Sequence, residues 1–170
     1  MNEKTKEDIK FFLLAIAIIL FINYGLGFIL KTDLPVVAVI SESMTHDKTT
    51  EERHYQFLNK EFGYTREQID SWPLKNGFRK GDVLVIKGIN EEEVKVGDVI
   101  VFDIVGQKIP IVHRVVSMDD GIQTKGDHNP ILDPWEVERI HGKVIFVIPF
   151  LGWPKVIFNS IVSWILNLIF

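Results

Sequence analysis

A chain of 170 residues with a formal net charge of −4 suits one domain plus an accessory element, and it lacks the basic field that draws nucleic acid. It contains no cysteine, which excludes disulfides, thiolate catalysis and zinc–thiolate sites together. The apolar residues, 46% of the total, gather at the two ends around a charged middle, the profile of a membrane-attached protein.

Residues 1–10 are polar and carry Lys4, Lys6 and Lys10. From Phe11 to Leu30 the chain is almost wholly apolar, interrupted by Asn23, Tyr24 and two glycines. Twenty helical residues rise about 30 Å, one hydrocarbon core, so 11–30 reads as a transmembrane anchor. A cleaved leader would have a shorter apolar region with a small-x-small site after it, whereas Ala15 and Ala17 lie inside this run. Three lysines precede the run, and only Lys31 follows before Lys48. That bias predicts a cytoplasmic N-terminus, with the rest of the chain on the extracytoplasmic or lumenal side.

A β-domain is expected over 34–148. Leu34 to Ile40 reads as its first strand and leads into Ser41-Glu42-Ser43-Met44. Residues 46–77 form a helical insertion: Thr49-x-x-Glu52 and Thr65-x-x-Gln68 both have capping-box spacing, Gly63 stops the first helix and Pro73 the second. A lid or a partner surface is the expected role. Next, Phe78–Ile86 resembles Val94–Phe102, each a Gly-Asp turn feeding a β-branched strand, so two neighbouring strands are predicted with Asp82 and Asp98 as turn residues. Further strands follow at Ile109–Ser117, Gly121–Lys125 and Gly142–Ile148. Short strands separated by turn signals predict a mainly β, antiparallel domain. The tail, 149–170, is apolar again, with Asn159, Ser163 and Asn167 spaced as one helical stripe. The stripe suits a helix lying in the membrane interface, or one inserted with its polar face toward Asn23.

Three polar groups stand out in the β-domain: Ser41 with Ser43, His113-Arg114, and Gly126-Asp127-His128-Asn129 with Asp133. A serine becomes a nucleophile when a base takes its proton and a third group orients the base. His113 is the candidate base, and Asp133 and Asp127 are both candidates to orient it. Singly these residues mean little, since a serine near a strand end is usually a surface hydroxyl and a Gly-Asp pair usually a turn. His113, Asp127, His128, Asp133 and His141 also lack a compact metal-ligand spacing, so no metal and no other cofactor is expected.

Together, and in this order, Ser-x-Ser-Met after an N-terminal anchor, Gly-Asp-Val-Ile-Val-Phe, His-Arg-Val and Gly-Asp-x-Asn-x-x-x-Asp resemble the type I signal peptidases, in their archaeal and endoplasmic-reticulum branch. The resemblance covers Leu34 to about Gly152 apart from the insertion. It implies a serine endopeptidase that removes signal peptides from translocated preproteins, with Ser43 as nucleophile, Ser41 helping to form the oxyanion hole, and His113 as base where bacterial members have lysine. It points to Asp133 ahead of Asp127 as the orienting carboxylate. It also implies preprotein signal peptides, the bilayer and, in a complex, other membrane subunits as partners. Two departures are visible: His46 stands where the family usually has proline, and the insertion is longer than in the simplest members. The competing readings are a tethered domain that binds peptides without catalysis, and a related protease with other membrane-proximal substrates.

Overall fold

Short runs rich in β-branched residues in the middle of the chain form one antiparallel sheet. The computed structural model describes residues 2–169, without the side chains of residues 22, 23, 159, 163 and 165–169. Six strands, β1 (Val36–Ala38), β2 (Val83–Lys87), β3 (Val99–Asp103), β4 (Ile111–Ser117), β5 (Gln123–Lys125) and β6 (Arg139–Ile148), lie in the order β1-β2-β6-β3-β4-β5. The two Gly-Asp repeats build β2 and β3, but these are not neighbours: β6 lies between them and pairs with both. The long β6 shifts register at a bulge against each of its two partners. At one of these bulges Gly142 has φ 149°, and a Cβ there would run into the Lys87 carbonyl. Asp82 and Asp98 act as expected, each accepting the backbone N–H three residues earlier.

The two faces bury different clusters. Val99, Val101, Leu84, Ile86 and Val144 pack on one face with Val39, Met44 and Phe78, while Ile100, Phe102, Ile104 and Val115 pack on the other. The insertion is not a loose lid. Its helix α3 (Lys48–Phe62) is capped by Asp47 rather than Thr49 and ends at Gly63 in the left-handed conformation. It buries Tyr55 and Leu58 against Ile69 of α4 (Arg66–Asp70) and Val116 of β4. The Thr65–Gln68 capping box is present as expected.

The N-terminal run is helical in three pieces: α1 (Glu3–Leu20), a π-helical turn (Phe21–Gly25) and α2 (Leu26–Leu30). Taken singly, no helix among the described residues is long and apolar enough to cross a membrane. Backbone angles stay right-handed helical through both junctions, so the pieces follow one another without a break. The tail forms α5 (Trp153–Ile169). The expected stripe of Asn159, Ser163 and Asn167, and Asn23, are side chains outside the described ones.

Candidate active site

Two consecutive residues of β4 point to opposite faces, as strand geometry requires, and each gathers its own polar partners. His113 places Nδ1 2.6 Å from Asp133 Oδ2, and the same carboxylate oxygen accepts from Thr124 Oγ1 at 2.7 Å. Asp133 is further tied in by its backbone N–H, which donates to the Thr124 carbonyl at 3.0 Å. A carboxylate facing Nδ1 holds the proton there, which leaves Nε2 with the free lone pair a general base needs.

Arg114, fully buried, turns the other way. Its Nε and Nη2 donate to Asp127 at 2.7–3.2 Å, and its remaining donors reach the carbonyls of Pro73, Leu74 and Gly97. Asp127 also meets His46 Nε2 at 3.0 Å and His54 Nε2 at 3.7 Å. Burial alone would push Asp127 up, but Arg114 and His46 hold it well below the ordinary carboxylate range. The two candidate carboxylates therefore part company: Asp133 touches His113, whereas Asp127 bonds Arg114 and His46.

Beside Arg114 in register lies Lys125, and beside Val115 lies Thr124, so β5 contributes one residue to each polar cluster. Lys125 is fully buried under α3, donates to the Gly126 carbonyl at 2.9 Å and sits over the Phe57 ring. Burial lowers its pKa to about 8 against the pull of Asp127 and Asp133. Burial likewise drives His54 down to about 4, only partly opposed by Asp127.

Ser43 lies beyond β1 in a turn whose backbone is held at several points. The Ser43 carbonyl accepts from the His128 N–H at 2.8 Å, and the Met44 carbonyl from the Phe78 N–H at 3.0 Å. His128 Nδ1 meets the Thr45 carbonyl at 3.2 Å. Met44 itself is buried, and its sulfur accepts from the Asp127 N–H at 3.4 Å. The Ser43 hydroxyl is 3.1 Å from that of Ser41, and among the described residues no hydrogen bond links it to His113. Gly126 is required where it stands: a Cβ there would lie 2.7 Å from Asn129 Nδ2 and 2.8 Å from the Ser43 carbonyl oxygen.

His128 thus serves the serine turn. His141 lies elsewhere, between Asp33 (Nδ1 to Oδ1 2.8 Å) and Asp103 (Nε2 to Oδ2 3.0 Å), and no group of metal-ligating side chains occurs among the described residues. Sequence reasoning did not pick out Thr124, Lys125 or His54, and it noted His46 only as a departure. Thr124 and Lys125 alternate on a strand next to Gly126-Asp127, which is the one signal that would have found them.

No family model matches the chain. Over 105 aligned residues it is 30% identical to the signal peptidase complex catalytic subunit SEC11C of Homo sapiens, covering 53% of this chain and 55% of that protein. It is 33% identical over 106 residues to the catalytic subunit sec11 of Sclerotinia sclerotiorum and 30% identical over 113 residues to SEC11 of Tuber melanosporum, covering 53% of this chain and 61% of each relative. The chain therefore spans a little over half the length of the curated relatives it matches. Over that span it is similar to the catalytic subunits of signal peptidase complexes.

Proposed function

We propose that the protein is a membrane-bound serine endopeptidase that removes signal peptides from translocated preproteins. Ser43 is the nucleophile. His113 takes its proton through Nε2 and returns it to the leaving amine, while Asp133 holds the imidazole and stabilises its charged form. The Ser41 hydroxyl and the Ser43 N–H face the oxygen that becomes negative in the tetrahedral intermediate. The observation that carries this reading is the 2.6 Å contact between His113 Nδ1 and Asp133 Oδ2. The path to the serine is also favourable. β5 pairs with β4 only as far as Arg114, so His113 has no strand partner on that side. Both the serine turn and Asp133 are bonded to the segment running from Thr124 to Asp133. In this reading the Ser43 hydroxyl leaves Ser41 for His113 Nε2 when substrate arrives.

Exposed apolar surface supports membrane attachment. Phe11, Phe12, Leu13, Leu14, Ile18, Ile19, Leu20 and Phe21 are all exposed, and on α5 so are Ile157, Phe158, Ile161 and Trp164. Apolar surface of that extent is not stable in water, and a bilayer removes it from water. The three helical pieces of the N-terminal run act together as a single span, which leaves residues 1–10 in the cytoplasm and the sheet on the extracytoplasmic or lumenal side. Holding the substrate's apolar segment in the same bilayer reduces the encounter with Ser43 to depth and orientation. β1 has one neighbour in the sheet, so it offers a free edge along which an extended substrate pairs before reaching the serine turn.

The test is cleavage of a preprotein by the purified chain in detergent. Release of the signal peptide that disappears in Ser43→Ala supports the reading, and cleavage undiminished in that variant refutes it.

A further inference from the structure

We infer that His46 and His54, both supplied by the insertion, are positioning residues that hold the nucleophile turn through Asp127; this rests on the proposed function. Three of the histidine contacts fix where the protons sit. His46 turns Nε2 to a carboxylate oxygen, so that nitrogen carries the hydrogen. His54 offers Nδ1 to the Lys125 ammonium at 3.5 Å, which leaves its hydrogen on Nε2, facing the other oxygen of Asp127. His128 faces a carbonyl with Nδ1 and so donates from there. With Arg114 on the remaining lone pairs, Asp127 is surrounded by donors, and it is fully buried.

The consequence for the serine is geometric. His46 belongs to the turn that carries Ser43, only three residues on, and its ring is 9% exposed. Asp127 belongs to the segment whose next residue, His128, bonds the carbonyls of Ser43 and Thr45. The His46–Asp127 contact closes a ring between these two segments. It locks the turn from the side-chain direction while His128 locks it from the backbone. Gly77 backs the His46 ring: a Cβ at that position would lie 2.8 Å from its Cδ2. His54, its ring 5.7 Å from that of His46, fills the space behind Asp127 and keeps water from the ion pair. A proline in place of His46 would stiffen the backbone but offer Asp127 no donor. The insertion therefore belongs to the frame of the active site.

The experiment compares His46→Gln, which keeps a donor at the position of Nε2, with His46→Leu, which keeps volume and removes it. Preprotein cleavage and amide hydrogen exchange over 42–46 and 126–129 are followed on the full chain in detergent. We expect His46→Leu to lower kcat at least tenfold with KM within twofold of the parent, and to raise exchange in those two segments but not in β2, β3 and β6. His46→Gln should stay within threefold of the parent in both readouts. Equal damage by both substitutions, or parent-like kcat and exchange in His46→Leu, overturns the inference. Should His46→Leu not fold, His46→Ala replaces it, and added imidazole must restore the exchange protection; failure to do so also overturns it. Exchange does not depend on turnover, so a parent chain that cleaves nothing would count against the proposed activity and leave the exchange result to decide the role of His46.

Discussion

Asp133 Oδ2 accepts from both His113 Nδ1 and Thr124 Oγ1, at 2.6 and 2.7 Å, so the carboxylate proposed to orient the base is itself held by two donors. Two donors on one oxygen fix the carboxylate plane, and through it the imidazole ring. Replacing Asp133 with Asn keeps the shape but removes the charge and invites the wrong tautomer. A substitution of this kind in a Ser-His-Asp site lowers kcat about 10⁴-fold. The same loss is expected for Asp133→Asn with KM little changed, measured by single-turnover cleavage of a preprotein. Thr124→Val should cost far less, a few-fold, because His113 alone still holds the carboxylate.

Ser41 and Ser43 share one hydrogen bond, yet the proposed mechanism gives the two hydroxyls different work. Ser43→Ala removes the attacking oxygen and should reduce cleavage to background. Ser41→Ala leaves the nucleophile and removes one donor from the oxyanion hole, for which the expected loss is about 10²–10³ in kcat. Ser41→Thr keeps the donor and should recover most of that loss. An activity assay on the three variants separates the roles; equal loss in Ser41→Ala and Ser43→Ala would contradict the division.

Much of this arrangement was legible from residue order, and some was not, for physical reasons. Strands announce themselves through β-branched runs bounded by turn residues, so all six were found within a few residues, and turn chemistry identified Asp82 and Asp98. Which strands become neighbours depends on contacts between distant segments, so the insertion of β6 between β2 and β3 had no local signature. Ser43, His113 and both aspartates stood in recognisable motifs. Which of Asp133 and Asp127 lies against His113 depended on the face of β4 that each carboxylate meets, and that follows from the loop between β5 and β6, not from spacing. His54 carried no signal of its own. Only the docking of Leu58 and Tyr55 on Val116 turns it inward toward Asp127 and Lys125. The insertion read as a lid or partner surface because its capping signals set it apart from the strands; its buried face is a small core of its own.

The Arg114–Asp127 pair makes a stability prediction distinct from the catalytic ones. Both groups are inaccessible to water, and every Arg114 donor is used. Asp127→Ala leaves a guanidinium buried without its counter-charge, which costs about 3–5 kcal/mol in comparable settings. A urea titration should therefore show a large fall in the unfolding midpoint for Asp127→Ala. Asp133→Asn should leave it close to the parent, since Thr124 and His113 remain to pair with the amide. An Asp133 variant that unfolds as early as the Asp127 variant would argue against separate duties for the two aspartates.

His54 gives the chain an acid-sensitive core. Burial drives its pKa down to about 4 in the folded chain, against the ordinary imidazole value of 6.5; the attraction of Asp127 opposes this only in part, and Lys125, Arg114 and His46 add to the depression. Between those two values the unfolded chain binds a proton at this site and the folded chain does not. Stability from this group is thus complete above about pH 6.5 and is lost as the pH falls toward 4, a change on the order of 3 kcal/mol. Asp127, held down in the folded chain, adds its own loss only as the pH drops through the ordinary carboxylate range. The two contributions fall in successive windows and can be told apart. The melting temperature of the parent should decline from pH 6.5 to 4 and then more steeply below. His54→Gln, which has nothing to titrate and retains a donor toward Asp127, should flatten the first limb and keep the second. An unchanged slope between pH 6.5 and 4 in that variant would show that the acid sensitivity arises at another residue.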